Sequence, residues 1–274
     1  MTALAATDTD APVRRGALVT ALAHTARLTG RQLRALARQP WYIAITLVQP
    51  VIWLLLFGAL FEKVTRIPGF ASTAYSTFLT PGIVVMTALF SAGWSGMGII
   101  QDLDRGIMQR LLVSPARRAA LIAASLAHQG LVTLVQTVII LALGAAVGAD
   151  YDGGGLGLVV AAAVAVLLAA AFAALSDALA LLIRREETVI AVNQFLVLPA
   201  SFLSAAFMQL DLAPGWIRAI ARANPVNWAV EAARAALAGT FDAGLWARAG
   251  GLALVAAACA LGATGAFRAY QRST

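Results

Sequence analysis

Charged residues in this chain fall in short clusters, and between them lie six stretches without Asp, Glu, Lys or Arg. They are Gln39–Phe61, Ile67–Gln101, Ala119–Ala149, Gly153–Ser176 (resuming past Asp177 to Ile183), Thr188–Leu210 and Ala249–Phe267. A helix needs about 20 mainly apolar residues to cross the bilayer core, and each stretch can supply a crossing. In lipid, backbone polar groups must be satisfied within the segment, which makes these stretches helices. None alternates apolar with polar as a membrane β-strand does. The pattern predicts an all-α membrane protein whose transmembrane domain covers 41–267. Its six transmembrane helices fall at about 41–61, 78–100, 119–148, 157–183, 188–208 and 247–267.

The polar segments carry their own periodicity. At about 100° per residue, Leu18, Leu22, Leu33 and Leu36 share one sector, and Arg27, Arg31, Arg34 and Arg38 lie opposite. This predicts an amphipathic interfacial helix over 16–40, after a disordered tail at 1–15. It serves either as a membrane anchor or as a clasp for a cytoplasmic partner. Over 101–118, Leu103, Ile107 and Leu111 recur every four residues, while Asp102, Asp104, Arg105, Gln109 and Arg110 take other faces and Pro115 ends the run. Such a helix either plugs a partner's groove or only orients the spans around it. Arg184–Glu187 reads as a tight hairpin.

Residues 209–245 are too polar to span. Pro214 opens a short helix with Trp216, Ile217 and Ile220 on one side and Arg218 and Arg222 at i,i+4. Asn224-Pro225 suits the N-cap and first position of a second helix to about Ala238, with Glu231 and Arg234 at i,i+3. These short helices predict a re-entrant outer segment between spans five and six. It is either a gate carrying Trp216, Arg218, Asn224, Trp228 and Glu231, or a lid that stabilises the bundle.

Composition sharpens the class. Of 274 residues, 61% are hydrophobic and 12% charged, against about 25% charged in soluble domains. The net charge of +7 would elsewhere suggest nucleic acid, but here the basic residues sit between spans and report orientation. With the termini cytoplasmic, the inner segments hold Arg14, Arg15, Arg27, Arg31, Arg34, Arg38, Arg105, Arg110, Arg117, Arg118, Arg184, Arg185, Arg268 and Arg272. The outer segments hold Lys63, Arg66, Arg218, Arg222, Arg234 and Arg248. The excess places both termini, including the tail at 268–274, in the cytoplasm. The first span acts as its own insertion signal. One cysteine, Cys259, precludes an intrachain disulfide, and His24 and His128 stand apart without neighbouring carboxylates, so no zinc-type site is expected.

Inside the spans, Asp177 is the only acid. It is a candidate intramembrane polar site together with His128, or a partner of Arg184 and Arg185 about two turns away. His128, Gln129 and Gln136 suit interhelical hydrogen bonds, and Ser91, Gly93, Ser95, Gly96 and Gly98 form a small-residue surface for close packing. Trp53, Phe57, Phe90 and Trp94 line an apolar cavity or face lipid.

A transporter needs an energy source. The sole lysine, Lys63, lies in Phe61-Glu62-Lys63-Val64, so the chain has no Walker A loop and no ATPase site of its own. Energy comes from a separate subunit or from an ion gradient, which the scarcity of intramembrane ionisable groups disfavours.

The whole chain resembles a permease subunit of the type-2 ABC exporters, most of all the daunorubicin-resistance group of bacterial drug-efflux permeases. The resemblance lies in Asp104-Arg105-Gly106 followed by Arg110-Leu-Leu-Val-Ser-Pro115, in Phe78-Leu-Thr-Pro-Gly82, and in Phe202-Leu-Ser-Ala-Ala-Phe207 with Pro214, Trp216, Ile220, Asn224-Pro225 and Glu231-Ala-Ala-Arg234. The family's acids before the arginine are reduced here to Asp102 and Asp104, separated by Leu103. The resemblance implies that 101–118 is a coupling segment, with Asp102, Asp104, Arg105, Gly106, Arg110, Leu111 and Pro115 docking into an ABC ATPase subunit. It implies two ATPase copies that bind ATP and Mg, pairing with a second permease copy or a homologous permease, and export of a small hydrophobic or amphipathic compound. The same architecture moving a lipid or lipid-linked glycan, and a proton-coupled transporter using Asp177 or His128, are the rivals. Arginine bias and alanine richness suit a high-GC bacterium, and the exporter resemblance implies its plasma membrane.

Overall fold

The computed structural model describes residues 40–61, 74–106, 118–207 and 209–272. The predicted tail at 1–15, the interfacial helix bearing Arg27, Arg31, Arg34 and Arg38, and Arg110, Leu111 and Pro115 lie outside them. The described residues form helices and no strand. In chain order these are α1 (Pro40–Leu60), α2 (Tyr75–Gly93), α3 (Ser95–Asp104), α4 (Arg118–Ala146), α5 (Gly154–Ile183) and α6 (Glu186–Phe202). A 3-10 turn (Leu210–Leu212), α7 (Gly215–Ala223), α8 (Pro225–Leu237) and α9 (Ala243–Arg272) follow.

Four segments are long and apolar enough to cross a membrane: Tyr75–Asp104, Ile122–Ala146, Gly154–Ile183 and Ala243–Arg268. The apolar part of α1, Ala44–Leu60, and the 17-residue α6 are shorter. Buried alanines along α5, including Ala161, Ala165, Ala169 and Ala173, let neighbouring helices approach closely. Nearly all of α2 is buried, with Leu79, Ile83, Val85 and Leu89 in the same core as α5 and α8.

Two predicted spans end or run differently. Span two was expected to be continuous over 78–100, but it breaks at Trp94 into α2 and α3. Span five was expected to reach about 208, but α6 stops at Phe202. Side chains from elsewhere take over the helical hydrogen bonds at that stop. Asn224 Nδ2 donates to the carbonyls of Ala200 (2.7 Å) and Leu203 (2.9 Å), and Asn227 Oδ1 accepts from the Ala205 amide (2.9 Å). The hairpin after α5 is tighter than expected. Arg184 adopts a left-handed conformation (φ 57°), and α6 begins at Glu186. Glu186 and Glu187 then sit in the first turn of α6, where the helix dipole favours acids.

The two ends of the bundle differ. Leu103, Leu181, Phe267 and Tyr270 pack together at one end, where the Arg184 guanidinium lies 4.5 Å from the Tyr270 ring centre. At the other end, the Gly153 amide donates to the Leu237 carbonyl (2.9 Å) and the Asp150 amide to Thr77 Oγ1 (3.1 Å). That end carries α7 and α8.

Candidate functional site

The break at Trp94 draws polar side chains from three neighbouring helices. A helix that stops and restarts leaves backbone groups without helical partners. Here α5 and α6 supply them. Ser176 Oγ donates to the Gly93 carbonyl (2.7 Å) and accepts from the Gly96 amide (3.1 Å). Asn193 Nδ2 donates to the same carbonyl (2.7 Å) and to Ser176 Oγ (3.0 Å). A Cβ at Gly96 would stand 2.8 Å from Ser176 Oγ, so only glycine permits this approach.

Asp177 lies beside that junction. It is fully buried, and its two carboxylate oxygens accept from Ser95 Oγ and Ser125 Oγ, each at 2.8 Å. The expected alternative, an interfacial Asp177 paired with Arg184 or Arg185, is corrected. Arg184 turns instead to the Leu181 carbonyl (3.4 Å) and the Tyr270 ring. The residue sits two turns deeper than those arginines and opposite two serines. His128 does not join Asp177; it is half-buried on α4. Its neighbours on that helix make interhelical bonds, Gln129 Nε2 to Ser91 Oγ (3.0 Å) and Gln136 Nε2 to Thr46 Oγ1 (3.1 Å).

Trp94 itself projects outward, 48% exposed, and two clefts flank it. One, of 130 Å³, lies between α1 and α2, with Gln49, Trp53, Phe90 and Trp94 on its walls. The other, of 20 Å³, lies between α2, α3 and α6 and is lined by Phe90, Trp94, Asn193 and Gln194. Trp53 meets Phe90 edge-on at 5.9 Å and Phe207 at 5.7 Å. Among the described residues, no hydrogen bond is made by the side chain of Gln49 or Gln194. A larger groove of 630 Å³ between α4 and α5 is lined by aliphatic residues and Tyr151, whose hydroxyl is already given to the Leu141 carbonyl (2.9 Å). That groove offers hydrocarbon only. The smaller clefts at Trp94 combine exposed aromatic faces with unspent amides, which is the chemistry an amphipathic ligand needs. Sequence reasoning missed Gln49, Asn193 and Gln194. Their signal was an amide in the middle of an otherwise apolar run.

The segment carrying α7 and α8 is a bonded cap at its end of the bundle. Asn224 Oδ1 accepts from the Val226 amide (2.9 Å) and Pro225 takes the first helical position, as the sequence predicted. Trp228 Nε1 donates to the Arg222 carbonyl (2.7 Å). Glu231 was expected within reach of Arg234. It accepts instead from Asn227 Nδ2 (2.9 Å) and pairs with Arg248 Nε (2.7 Å). Arg234 reaches inward, donating to the carbonyls of Ala205 (2.9 Å) and Phe78 (3.3 Å), with its guanidinium 3.9 Å from the Phe78 ring centre. Two buried peptide carbonyls and an aromatic face thus stabilise this cation. Trp216 and Arg218 are exposed on α7 and stand apart from this network. On the opposite end, Asp102, Asp104, Arg105 and Gly106 form the last turn of α3 and its exit. Gly106 is left-handed (φ 66°), so the chain turns sharply there.

The chain matches the family model described as "ABC-2 type transporter" over residues 24–238. It is 32% identical over 208 residues to a putative transport permease ycf38 of Cyanophora paradoxa, covering 76% of this chain and 71% of the relative. It is 29% identical over 234 residues to the daunorubicin resistance ABC transporter permease protein DrrB1 of Streptomyces coeruleorubidus, covering 85% and 80%. A probable doxorubicin resistance ABC transporter permease protein DrrC of Mycobacterium tuberculosis is 25% identical over 213 residues, covering 78% and 76%.

Proposed function

The chain belongs to the ABC-2 type transporter family, and from that premise we propose that it is the membrane-spanning half of an exporter for an amphipathic, aromatic compound. The observation that carries this reading is the pair of clefts at Trp94, where aromatic walls meet two amides without partners. An unsatisfied amide is unfavourable against lipid, so Gln49 and Gln194 call for a ligand, water or a second protein surface. The resistance relatives named for daunorubicin and doxorubicin point to the same class of cargo.

One chain offers a cleft of 130 Å³, whereas a drug-sized site is about 300–1,000 Å³. A second copy, or a homologous permease, facing Trp94 completes the path. Six spans follow when α1 and the 17-residue α6 are counted, since a span needs about 17 residues or more. The arginine-rich end is cytoplasmic by the positive-inside rule, in a bacterial plasma membrane. ATP and Mg belong to two separate ATPase subunits. These dock on the segment carrying Asp102, Asp104, Arg105, Gly106, Arg110, Leu111 and Pro115. The cap carrying Trp216, Arg218, Asn224, Trp228 and Glu231 closes the outer end until cargo leaves. Asp177, bonded to Ser95 and Ser125 and absent from both clefts, weighs against a proton-driven carrier.

The test is purification of the tagged full chain from its own host in mild detergent. A co-purifying ATPase that is lost in the Arg105→Ala/Leu111→Ala variant supports the reading. A chain that purifies alone and drives proton-coupled uptake, lost in Asp177→Asn, overturns it.

A further inference from the structure

The break at Trp94 is a hinge by construction and a rigid joint by its surroundings. The carbonyl of Gly93 and the amide of Gly96 lie on opposite sides of the break, and both are bonded to one atom, Ser176 Oγ. Asn193 of α6 closes the arrangement by donating to both Gly93 O and Ser176 Oγ. Just beyond, Ser95 ties the first residue of α3 to Asp177, the neighbour of Ser176, and Ser125 adds α4 to the same carboxylate. Further along, Met97 and Ile100 of α3 pack on Ala180 of α5 and Val189 of α6. Hydrogen bonds at the break and apolar packing beyond it therefore both hold α3 to α5 and α6.

We propose that Ser176 and Asn193 are positioning residues that brace α3 across the break at Trp94. A push on the cytoplasmic end of α3 then moves α5 and α6 with it, where without the brace it would only bend the break. The brace ends at the Trp94 clefts, because Asn193 itself lines one of them. It is the mechanical link between the cytoplasmic end of the second span and the cargo site. This rests on the exporter reading above, in which force arrives from a docked ATPase. The bonding pattern explains glycine at 96 and serine at 95 beside the break, and serine at 176 on α5. Gly96 admits the Ser176 backbone, the Ser176 hydroxyl takes over the interrupted helical bonds, and the Ser95 hydroxyl goes to Asp177.

Two readouts on the full chain test this. Spin labels at Gln101→Cys and Leu156→Cys, in a Cys259→Ser background, report the angle of α3 against the far end of α5. Both sites are exposed. With the brace intact, the distance distribution is narrow. In Ser176→Ala/Asn193→Ala, or in Ser176→Ala alone should the double variant not fold, it broadens. A swing of about 20° at ~10 Å from the break moves the label by about 3–4 Å. In the complex with its ATPase, Ser176→Ala, which lines neither cleft, keeps ATP hydrolysis while cargo moved per ATP falls about fivefold or more. A distribution that stays narrow, or transport per ATP that stays unchanged, overturns the brace. So does a parallel loss of hydrolysis, transport and thermal stability, the signature of packing damage alone. If no ATPase accompanies the unaltered chain, that failure belongs to the exporter reading, and the label distances still decide whether Ser176 and Asn193 hold α3.

Discussion

The interior around Asp177 and the clefts around Trp94 are neighbours with opposite polar chemistry. In the interior around Asp177, the buried polar side chains bond to one another and to the backbone. Asp177 has two serines, Gln129 has Ser91, and Asn193 and Ser176 share the Gly93 carbonyl. At the clefts, one turn away, Gln49 and Gln194 have none among the described residues, and Trp94 stands half exposed. A satisfied polar group holds helices together; an unsatisfied one beside aromatic faces is a place for something else to bind. The charged residue that draws the eye in the sequence is thus bonded within the bundle, while the uncharged amides at the clefts are left with unused hydrogen-bonding capacity.

The largest effect expected from breaking that contrast lies on the satisfied side. Asn224→Ala strips partners from the Ala200 and Leu203 carbonyls and the Val226 amide. Three orphaned backbone groups cost about 3 kcal/mol or more, and the variant should lose most of its thermal stability in detergent. Asp177→Leu comes next. It leaves the Ser95 and Ser125 hydroxyls without their acceptor, at about 2–3 kcal/mol. Asp177→Asn keeps an acceptor and should melt within about 1 kcal/mol of the parent.

On the unsatisfied side, stability and function separate. Gln49→Ala/Trp94→Ala removes exposed surface and no hydrogen bond between described residues, so melting should stay within about 0.5 kcal/mol. Transport of an amphipathic aromatic compound should fall about tenfold, equal to about 1.4 kcal/mol of lost cargo binding. The smallest effect belongs to Glu231→Gln. Its pair with Arg248 is partly exposed, at 38% and 28% for the two side chains, and such pairs contribute below about 1 kcal/mol. Thermal denaturation of the single variant should barely resolve it.

The helices themselves were legible because lipid leaves the chain little choice. Six uncharged runs of sufficient length carried α1, the joined α2 and α3, α4, α5, α6 and α9. The Asn224-Pro225 cap was legible because its chemistry is local, a side-chain oxygen two residues from the amide it accepts from. The interruptions were not legible. The break at Trp94 depends on Ser176 and Asn193, 80 and 100 residues along the chain from their backbone partners. The early stop of α6 at Phe202 depends on Asn224 and Asn227. The Gly-Ser cluster at 91–98 marks a place for close packing, but nothing local says which distant side chains meet it. Arg234 was legible only in part, for a related reason. Its i,i+3 spacing keeps it within electrostatic reach of Glu231, but the tertiary fold gave the ion pair of Glu231 to Arg248 and sent Arg234 to buried carbonyls.

The central claim is that cargo binds at Trp94 and that Asp177 only builds the scaffold. The most direct measurement is equilibrium binding of a fluorescent amphipathic aromatic compound to the full chain in lipid nanodiscs, followed by anisotropy. The account predicts that Gln49→Ala/Trp94→Ala weakens binding about tenfold, while Asp177→Asn binds like the parent. Unchanged binding in the cleft variant, with binding lost in Asp177→Asn, would contradict it and move the site to the buried carboxylate.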